Sequence, residues 1–148
     1  MKVGVNSSLL LAGLLLLACS PQPEPEQLPV SQLVAATDCD VLTGCRVSDV
    51  DAFIDVLFAI KPRALQPFPV LIQTQGMQDV KAVTVSFSMR DMTMGLNRYA
   101  LTPAAEGAWQ GEVTLPICVS GRTDWIAEFD IQLPDRHLVF TVPFVLGK

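Results

Sequence analysis

Sulfur-containing side chains are the most concentrated chemically active groups in this 148-residue chain. Met89, Met92 and Met94 fall within one short stretch, and Cys118 follows on a later predicted strand. A thioether is a soft ligand that needs no deprotonation and forms no disulfide, so it stays available to Cu(I) in an oxidising compartment. The spacing predicts Cu(I) ligands at Met92, Met94 and Cys118, with Met89 as a fourth candidate.

The same methionines have a structural interpretation. Met89 continues the apolar face of its predicted strand, which favours packing in the core as its role. Met92 and Met94 can likewise fill an irregular gap beneath a loop, because methionine is unbranched and adapts its shape. Both interpretations remain open from the sequence.

The amino-terminal sequence is typical of a signal peptide that is removed by processing. Lys2 precedes an apolar run over residues 9–17, which is too short to form a stable membrane-spanning helix. The run ends in Leu16-Leu17-Ala18-Cys19, which matches the lipobox of bacterial lipoproteins. We expect residues 1–18 to be removed and acyl chains on Cys19 to anchor the protein, at about 0.8 kcal/mol per buried methylene. The alternative is an ordinary secretory signal with an unrelated cysteine.

The segment after the lipobox predicts a tether and an envelope location. Ser20 takes the place of the aspartate that often retains lipoproteins at the inner membrane, so the outer membrane is favoured. Residues 19–37 contain four prolines among Glu and Gln, a composition that favours a flexible, extended tether. Residues 38–148 are then the folded domain. The net charge of −5, more negative still once Lys2 is removed, argues against a nucleic acid partner.

Short apolar or alternating runs, separated by Pro, Gly and Asp, fill the domain. They predict an all-β, immunoglobulin-like antiparallel sandwich of about seven strands with little helix. The predicted strands are residues 52–60, 68–74, 80–89, 97–101, 109–117, 125–133 and 137–145, with a further edge pairing at residues 46–50.

Alternation within these strands predicts which side chains enter the core. Trp109 and Trp125 are both expected to be core anchors, because large aromatic residues at inward positions usually pack. The predicted inward positions on three strands are Val83, Val85, Phe87 and Met89; Trp109, Val113, Leu115 and Ile117; and Trp125, Ala127, Phe129, Ile131 and Leu133.

The number and spacing of the cysteines predict one disulfide and one free thiol. With Cys19 lipidated, three cysteines remain. Cys39 and Cys45 flank a five-residue run, and a local disulfide between them is the first choice. Cys118 is then free and, by the parity of its strand, off the core face unless Pro116 introduces a bulge. Two alternatives stay open: Cys118 pairs with Cys39 or Cys45, or it is an inert buried thiol.

Two stretches carry a family resemblance. The run Met89 to Gly95, followed by Gly107-Ala108-Trp109-Gln110-Gly111, resembles YtkA-like and FixH-like domains. Asn97-Arg98-Tyr99 and residues 115–125 are similar to signature stretches of a narrower group. The resemblance covers about residues 80–133 and implies a small extracytoplasmic β-sandwich connected with copper handling or cytochrome oxidase assembly. The chain departs from periplasmic copper chaperones that combine histidines with methionines, since its one histidine is His137.

Catalytic motifs are scarce. One histidine does not make a multi-histidine zinc site, and Ser120-Gly121 lacks the glycine pattern of a nucleophile elbow. We therefore expect no enzyme, although a Cys118–His137 dyad stays open because such partners need only meet in space. The leading hypothesis is a lipid-anchored Cu(I)-binding or copper-delivery accessory of the periplasm, whose partner is a cuproprotein or oxidase assembly factor. The alternatives are a protein-interaction module without a metal and a thiol-redox accessory using Cys118.

Overall fold

The residues that the structure describes form an all-β sandwich of nine strands. A computed structural model describes residues 27–92, 95 and 97–147, and within them no helix is formed. The lipobox, Cys19 and the first part of the predicted tether, up to residue 26, lie outside the described residues. The strands are β1 (Val30–Gln32), β2 (Cys45–Ser48), β3 (Phe53–Phe58), β4 (Phe68–Gln75), β5 (Ala82–Ser88), β6 (Arg98–Ala105), β7 (Ala108–Val113), β8 (Asp124–Gln132) and β9 (His137–Val145).

One strand joins the two layers of the sandwich. The spatial order is β1-β9-β8-β5-β6-β7-β4-β3-β2. The first half of β6 pairs with β5 and its second half pairs with β7, with a register shift between Pro103 and Ala105. Proline has no backbone N–H to give to a ladder, so Pro103 is suited to the point where the regular pairing is interrupted. The continuous sheet thus curls over a single core.

Strand β1 lies where the sequence predicted a tether, and it adds a parallel edge to the predicted sandwich. Val30–Gln32 lies within the predicted tether, yet it pairs with β9. The pairing is parallel, whereas an entirely antiparallel sandwich of about seven strands was expected. Leu33 extends the contact, donating its N–H to the carbonyl of Val139 at 2.8 Å. The predicted boundary at residue 38 is therefore too late, because alternation cannot be recognised in a strand of three residues among prolines.

Alternation places the central strands correctly. The predicted inward residues of β5 and β8 are buried, including Phe87 at 3% exposure and Trp125 at 1%. Phe58, Phe68, Phe87 and Phe144 form a cluster of tilted and edge-to-face aromatic pairs between the layers. Such pairs stabilise by about 0.5–1.5 kcal/mol each beyond their burial.

The prediction for β7 is correct only in part. Val113 and Leu115 are fully buried, as expected, but Trp109 is half-buried at the margin of the core and Ile117 is 61% exposed. The strand ends at Val113 rather than at Ile117. Pro116 cannot donate to a ladder, and the irregular backbone around it no longer alternates with period two.

The local disulfide is confirmed. Cys39 and Cys45 are bonded, with their Cα atoms 4.7 Å apart. The turn between them is closed by the N–H of Gly44, which donates to the carbonyl of Asp40 at 2.9 Å, and Gly44 has a φ of 106° that favours glycine. The bond fastens this turn to the first residue of β2, so Cys118 is left as a free thiol.

Candidate functional site: a sulfur pair on two turns

The first half of the site is the turn that follows β5. Met89 prolongs the inward face of the strand and is 3% exposed. The chain then reverses, and the N–H of Met92 donates to the carbonyl of Met89 at 3.2 Å. Asp91 occupies the left-handed region with a φ of 60°, which aspartate tolerates better than most residues. The reversal leaves Met92 half-buried, packed against the edge of the core.

The second half of the site is the turn that follows β7. Cys118 is 7% exposed, so its predicted position off the core face is wrong. The N–H of Gly121 donates to the carbonyl of Cys118 at 2.9 Å, closing a tight turn, and Gly121 has a φ of 71°. Because β7 has already ended at Val113, strand parity does not govern the direction of the Cys118 side chain.

These two turns bring two predicted ligands together. Cys118 Sγ lies 3.7 Å from Met92 Sδ, within the range of an S–H···S hydrogen bond. On another side, Cys118 Sγ lies 3.0 Å from Ser120 Oγ. The thiol thus sits between a soft thioether and a hydroxyl that can act as hydrogen-bond donor.

The surroundings of Cys118 favour its thiolate. The hydrogen bond with the Ser120 hydroxyl is the largest cause that lowers the pKa of the thiol below its ordinary value of 9.0. Backbone hydrogen bonds from Ser120 and Arg122 and the charge of Arg122 act in the same direction, while burial opposes them. Donors that converge on the sulfur stabilise its anionic form, which is the nucleophile and the metal ligand.

Arg122 connects the two turns. Its Nη1 donates to the carbonyl of Arg90 at 3.0 Å. Arg90 lies in the turn that follows β5, residues 89–92, which we call the methionine turn. The Nε of Arg122 donates to Asp124 Oδ1 at 2.9 Å, and its Nη2 donates to Asp124 Oδ2, which gives a bidentate pair. The hydrogen bond from Arg122 is the main cause that lowers the pKa of the Asp124 carboxyl, so this carboxylate stays charged.

The remaining predicted ligands divide into two cases. Met89 is held in the core, which agrees with its packing interpretation. Met94 lies outside the described residues. In the part of the chain that the structure describes, no three His, Cys, Asp or Glu side chains cluster in a way that could hold a metal ion. The predicted ligands that the structure brings together are Met92 and Cys118.

His137 does not take part in this site. Its Nδ1 lies 2.7 Å from Asp130 Oδ1 on the outer face of the sheet. His137 begins β9, whereas Asp124, next to the Cys118 turn, pairs with Val145 at the other end of that strand. At about 3.3 Å per residue, the two ends of β9 are about 26 Å apart. The sequence left a Cys118–His137 dyad open, and this topology excludes it.

Ser120 and Arg122 belong to the site, although no sequence pattern had indicated them. Ser120-Gly121 was considered as a nucleophile elbow, and Arg122 as part of the resemblance over residues 115–125. A usable signal was the Ser120-Gly121 pair itself, because serine followed by glycine is typical of a turn.

A groove lies beside the site. It has a volume of about 320 Å³ and is lined partly by Arg90, Asp124 and Ile126 of the two turns and β8, and by Pro143 and Val145 of β9. Arg90 and Asp124 are the residues that Arg122 contacts, so the groove borders the Arg122 hydrogen bonds that lie beside the sulfur pair.

Comparisons of the chain with known protein families, with curated proteins and with solved structures found no match. Among the described residues, no helix has the length and apolar character needed to cross a membrane.

Proposed function

We propose that this protein is a lipid-anchored cell-envelope protein that binds Cu(I) through Met92 and Cys118 and transfers it to a cuproprotein or oxidase assembly factor. The observation that carries the proposal is the 3.7 Å separation of the two sulfur atoms. Two sulfurs bound to one ion at about 2.3 Å, the length of a Zn–S bond, lie about 4.0 Å apart in a trigonal arrangement of three ligands. The pair is therefore spaced to share one ion with little movement.

The chemistry of the donors favours Cu(I) over other ions. A thiolate with a thioether is a soft donor set of the kind that binds Cu(I), and the thioether is not among the usual Zn²⁺ ligands, which are thiolate, imidazole and carboxylate. Cys118 is predisposed to supply the thiolate, because the Ser120 and Arg122 contacts lower its pKa. Met94, two residues beyond Met92 in the sequence, remains the predicted third ligand.

A site with few protein ligands favours transfer of Cu(I) to a partner protein. A site with two or three protein sulfurs leaves room for an incoming ligand of a partner, so the ion can pass by ligand exchange without becoming free. The thiolates or thioethers of a cuproprotein can join the site before Met92 leaves it. The neighbouring groove beside Arg90 and Asp124 is the surface at which such a partner would approach.

Cu(I) titration under a competing chelator tests the proposal. The soluble chain from Ser20 onward contains all nine strands. A reductant without thiols keeps the Cys39–Cys45 disulfide oxidised. We expect one Cu(I) per chain, an affinity at least about tenfold weaker in Met92→Leu and in Cys118→Ser, about 1.4 kcal/mol each, and no competition for Cu(I) in the double variant.

Met77→Leu is the matched control. Met77 is also a partly buried methionine, but it precedes β5, whereas Met89 follows it, so it lies at the other end of that strand. Its substitution should leave the Cu(I) affinity unchanged. Equal affinity of the wild-type chain and the double variant would disprove the copper proposal.

The anchor is a separate part of the proposal. It is supported by Leu16-Leu17-Ala18-Cys19 and by the proline-rich segment that follows. Mass spectrometry of the amino-terminal peptide from membrane fractions should show acylated Cys19 as the first residue. Cys19→Ala should release the protein from the membrane or leave the signal uncleaved, and an unmodified Cys19 in the wild-type protein would refute the anchor.

A protein-interaction module without a metal is the second candidate. It is favoured by an outward groove of about 320 Å³ on the layer of β3, β4 and β7, where the half-buried Leu57 and Leu71 are accompanied by Ala104 and Ala108. This function predicts that Leu71→Glu abolishes partner binding in a pull-down from envelope extracts, while Met92→Leu has no effect. The opposite pattern would favour the copper function.

A further inference from the structure

The Arg122 guanidinium fork reaches from the segment after Cys118 to the backbone of the methionine turn. Nη1 donates to the Arg90 carbonyl at 3.0 Å, while Nε and Nη2 both bind Asp124. The planar fork has fixed donor directions, so a bidentate carboxylate on one side sets the direction of the remaining N–H groups. Asp124 therefore aims Nη1 at Arg90.

The Arg122–Asp124 ion pair should contribute little to the stability of the whole fold. The side chains of Arg122 and Asp124 are 37% and 57% exposed. Exposed ion pairs contribute about 0–1 kcal/mol to folding. Loss of the pair should therefore leave the sandwich folded, while the methionine turn loses its hydrogen bond to the neighbouring turn.

We propose that Arg122 is a positioning residue of the sulfur pair: it holds the Met89–Met92 turn against the Cys118 turn, so that Met92 and Cys118 meet one ion together. This inference rests on the proposed Cu(I) function and assigns the residue that controls the geometry of that site. Arg122 does not bind the ion itself.

Cu(I) affinity in a double-mutant cycle tests the positioning role. Arg122→Gln should weaken Cu(I) binding about tenfold with the thermal midpoint little changed. In the Met92→Leu background the same substitution should change the affinity by no more than about threefold, because no thioether remains to be aligned and only the effect of Arg122 on the Cys118 thiolate is left. Arg122→Lys should not rescue binding, since one ammonium cannot reproduce three directed donors. Full rescue by Lys, or an undiminished effect beside Met92→Leu, would overturn the proposal.

A measurement without metal separates this inference from the copper function. In protein with ¹³C-labelled methionine methyl groups, the nuclear Overhauser effect between the Met92 methyl and the Cys118 β protons reports the contact directly. We expect it to fall by at least half in Arg122→Gln, with the Met77 methyl resonance unchanged. An undiminished effect overturns the positioning role. A lost effect supports that role even if the wild-type chain binds no Cu(I), in which case only the proposed function fails.

Asp124→Asn gives a second variant for the case in which Arg122→Gln does not fold. It keeps the Arg122 charge but weakens the bidentate partner that aims the fork. We expect a partial loss of the Met92–Cys118 contact and of Cu(I) affinity, both smaller than in Arg122→Gln. Wild-type values of both quantities would contradict the proposed arrangement.

Discussion

Cys118 Sγ and Met92 Sδ lie 3.7 Å apart although 26 residues separate them in the sequence. One follows β7 and the other follows β5, and the two strands belong to opposite layers of the sandwich. The contact therefore depends on the whole fold rather than on local sequence. It also gives the chain two soft donors at one place near its surface.

The pH dependence of Cys118 alkylation should reveal its stabilised thiolate. Its pKa is lowered from 9.0 mainly by the Ser120 hydroxyl, so the thiolate persists at pH values where an ordinary cysteine is protonated. The midpoint of the iodoacetamide rate profile should lie below 9.0 in the folded chain. It should rise in Ser120→Ala and stay unchanged in Ser48→Ala, an exposed serine on β2. A midpoint at or above 9.0 in the folded chain would contradict this account.

Reduction of the Cys39–Cys45 disulfide should lower the free energy of unfolding by about 2 kcal/mol, because the loop that it closes is short. Its cysteines are six positions apart in the sequence. Urea denaturation with and without a reductant measures the effect. Cys118→Ser should show the same sensitivity to reduction, and a chain with Cys39→Ser and Cys45→Ser should show none.

Alanine substitutions at Gly95 and Gly107 compare the cost of backbone strain alone with the cost of strain together with a steric clash. The φ values of these glycines are 67° and 68°, so alanine should cost each about 1–2 kcal/mol. A Cβ on Gly107 would also collide with the Thr74 carbonyl, whereas at Gly95 it would meet open space. We expect Gly107→Ala to destabilise the fold by about 1–3 kcal/mol more than Gly95→Ala in urea denaturation. Equal losses would mean that the turn at Gly107 can shift without cost.

Removal of β1 should destabilise the sandwich, although the sequence suggested a tether there. The carbonyl of Pro29 accepts from the N–H of His137 at 2.8 Å, and Leu33 donates to Val139 at the same distance. With about 1 kcal/mol per hydrogen bond, a chain begun at residue 36 should lose about 2–3 kcal/mol. It should also associate at high concentration, because β9 becomes an exposed edge. A chain begun at Gln27 is the control, and equal unfolding midpoints of the two chains would show that β1 contributes nothing.

Local sequence patterns were enough to predict the strands whose side chains alternate regularly between core and solvent. Alternation identified β5 and β8 with their inward residues, and the ends of β9 were predicted at His137 and Val145. The Cys39–Cys45 bond was also predictable, because a short loop restricts which cysteines can meet. Each of these features depends on neighbours that are near in the chain.

The positions of Met92 and Cys118 relative to each other could be known only from the folded structure. Period-two alternation ends with the ladder at Val113, so it could not predict that Cys118 turns inward. The approach of Met92 to Cys118 and the bridge from Arg122 to Arg90 depend on how β5 and β8 pair and where their turns lead. Contacts between turns are set by the packing of entire layers, and no local periodicity in the sequence encodes them.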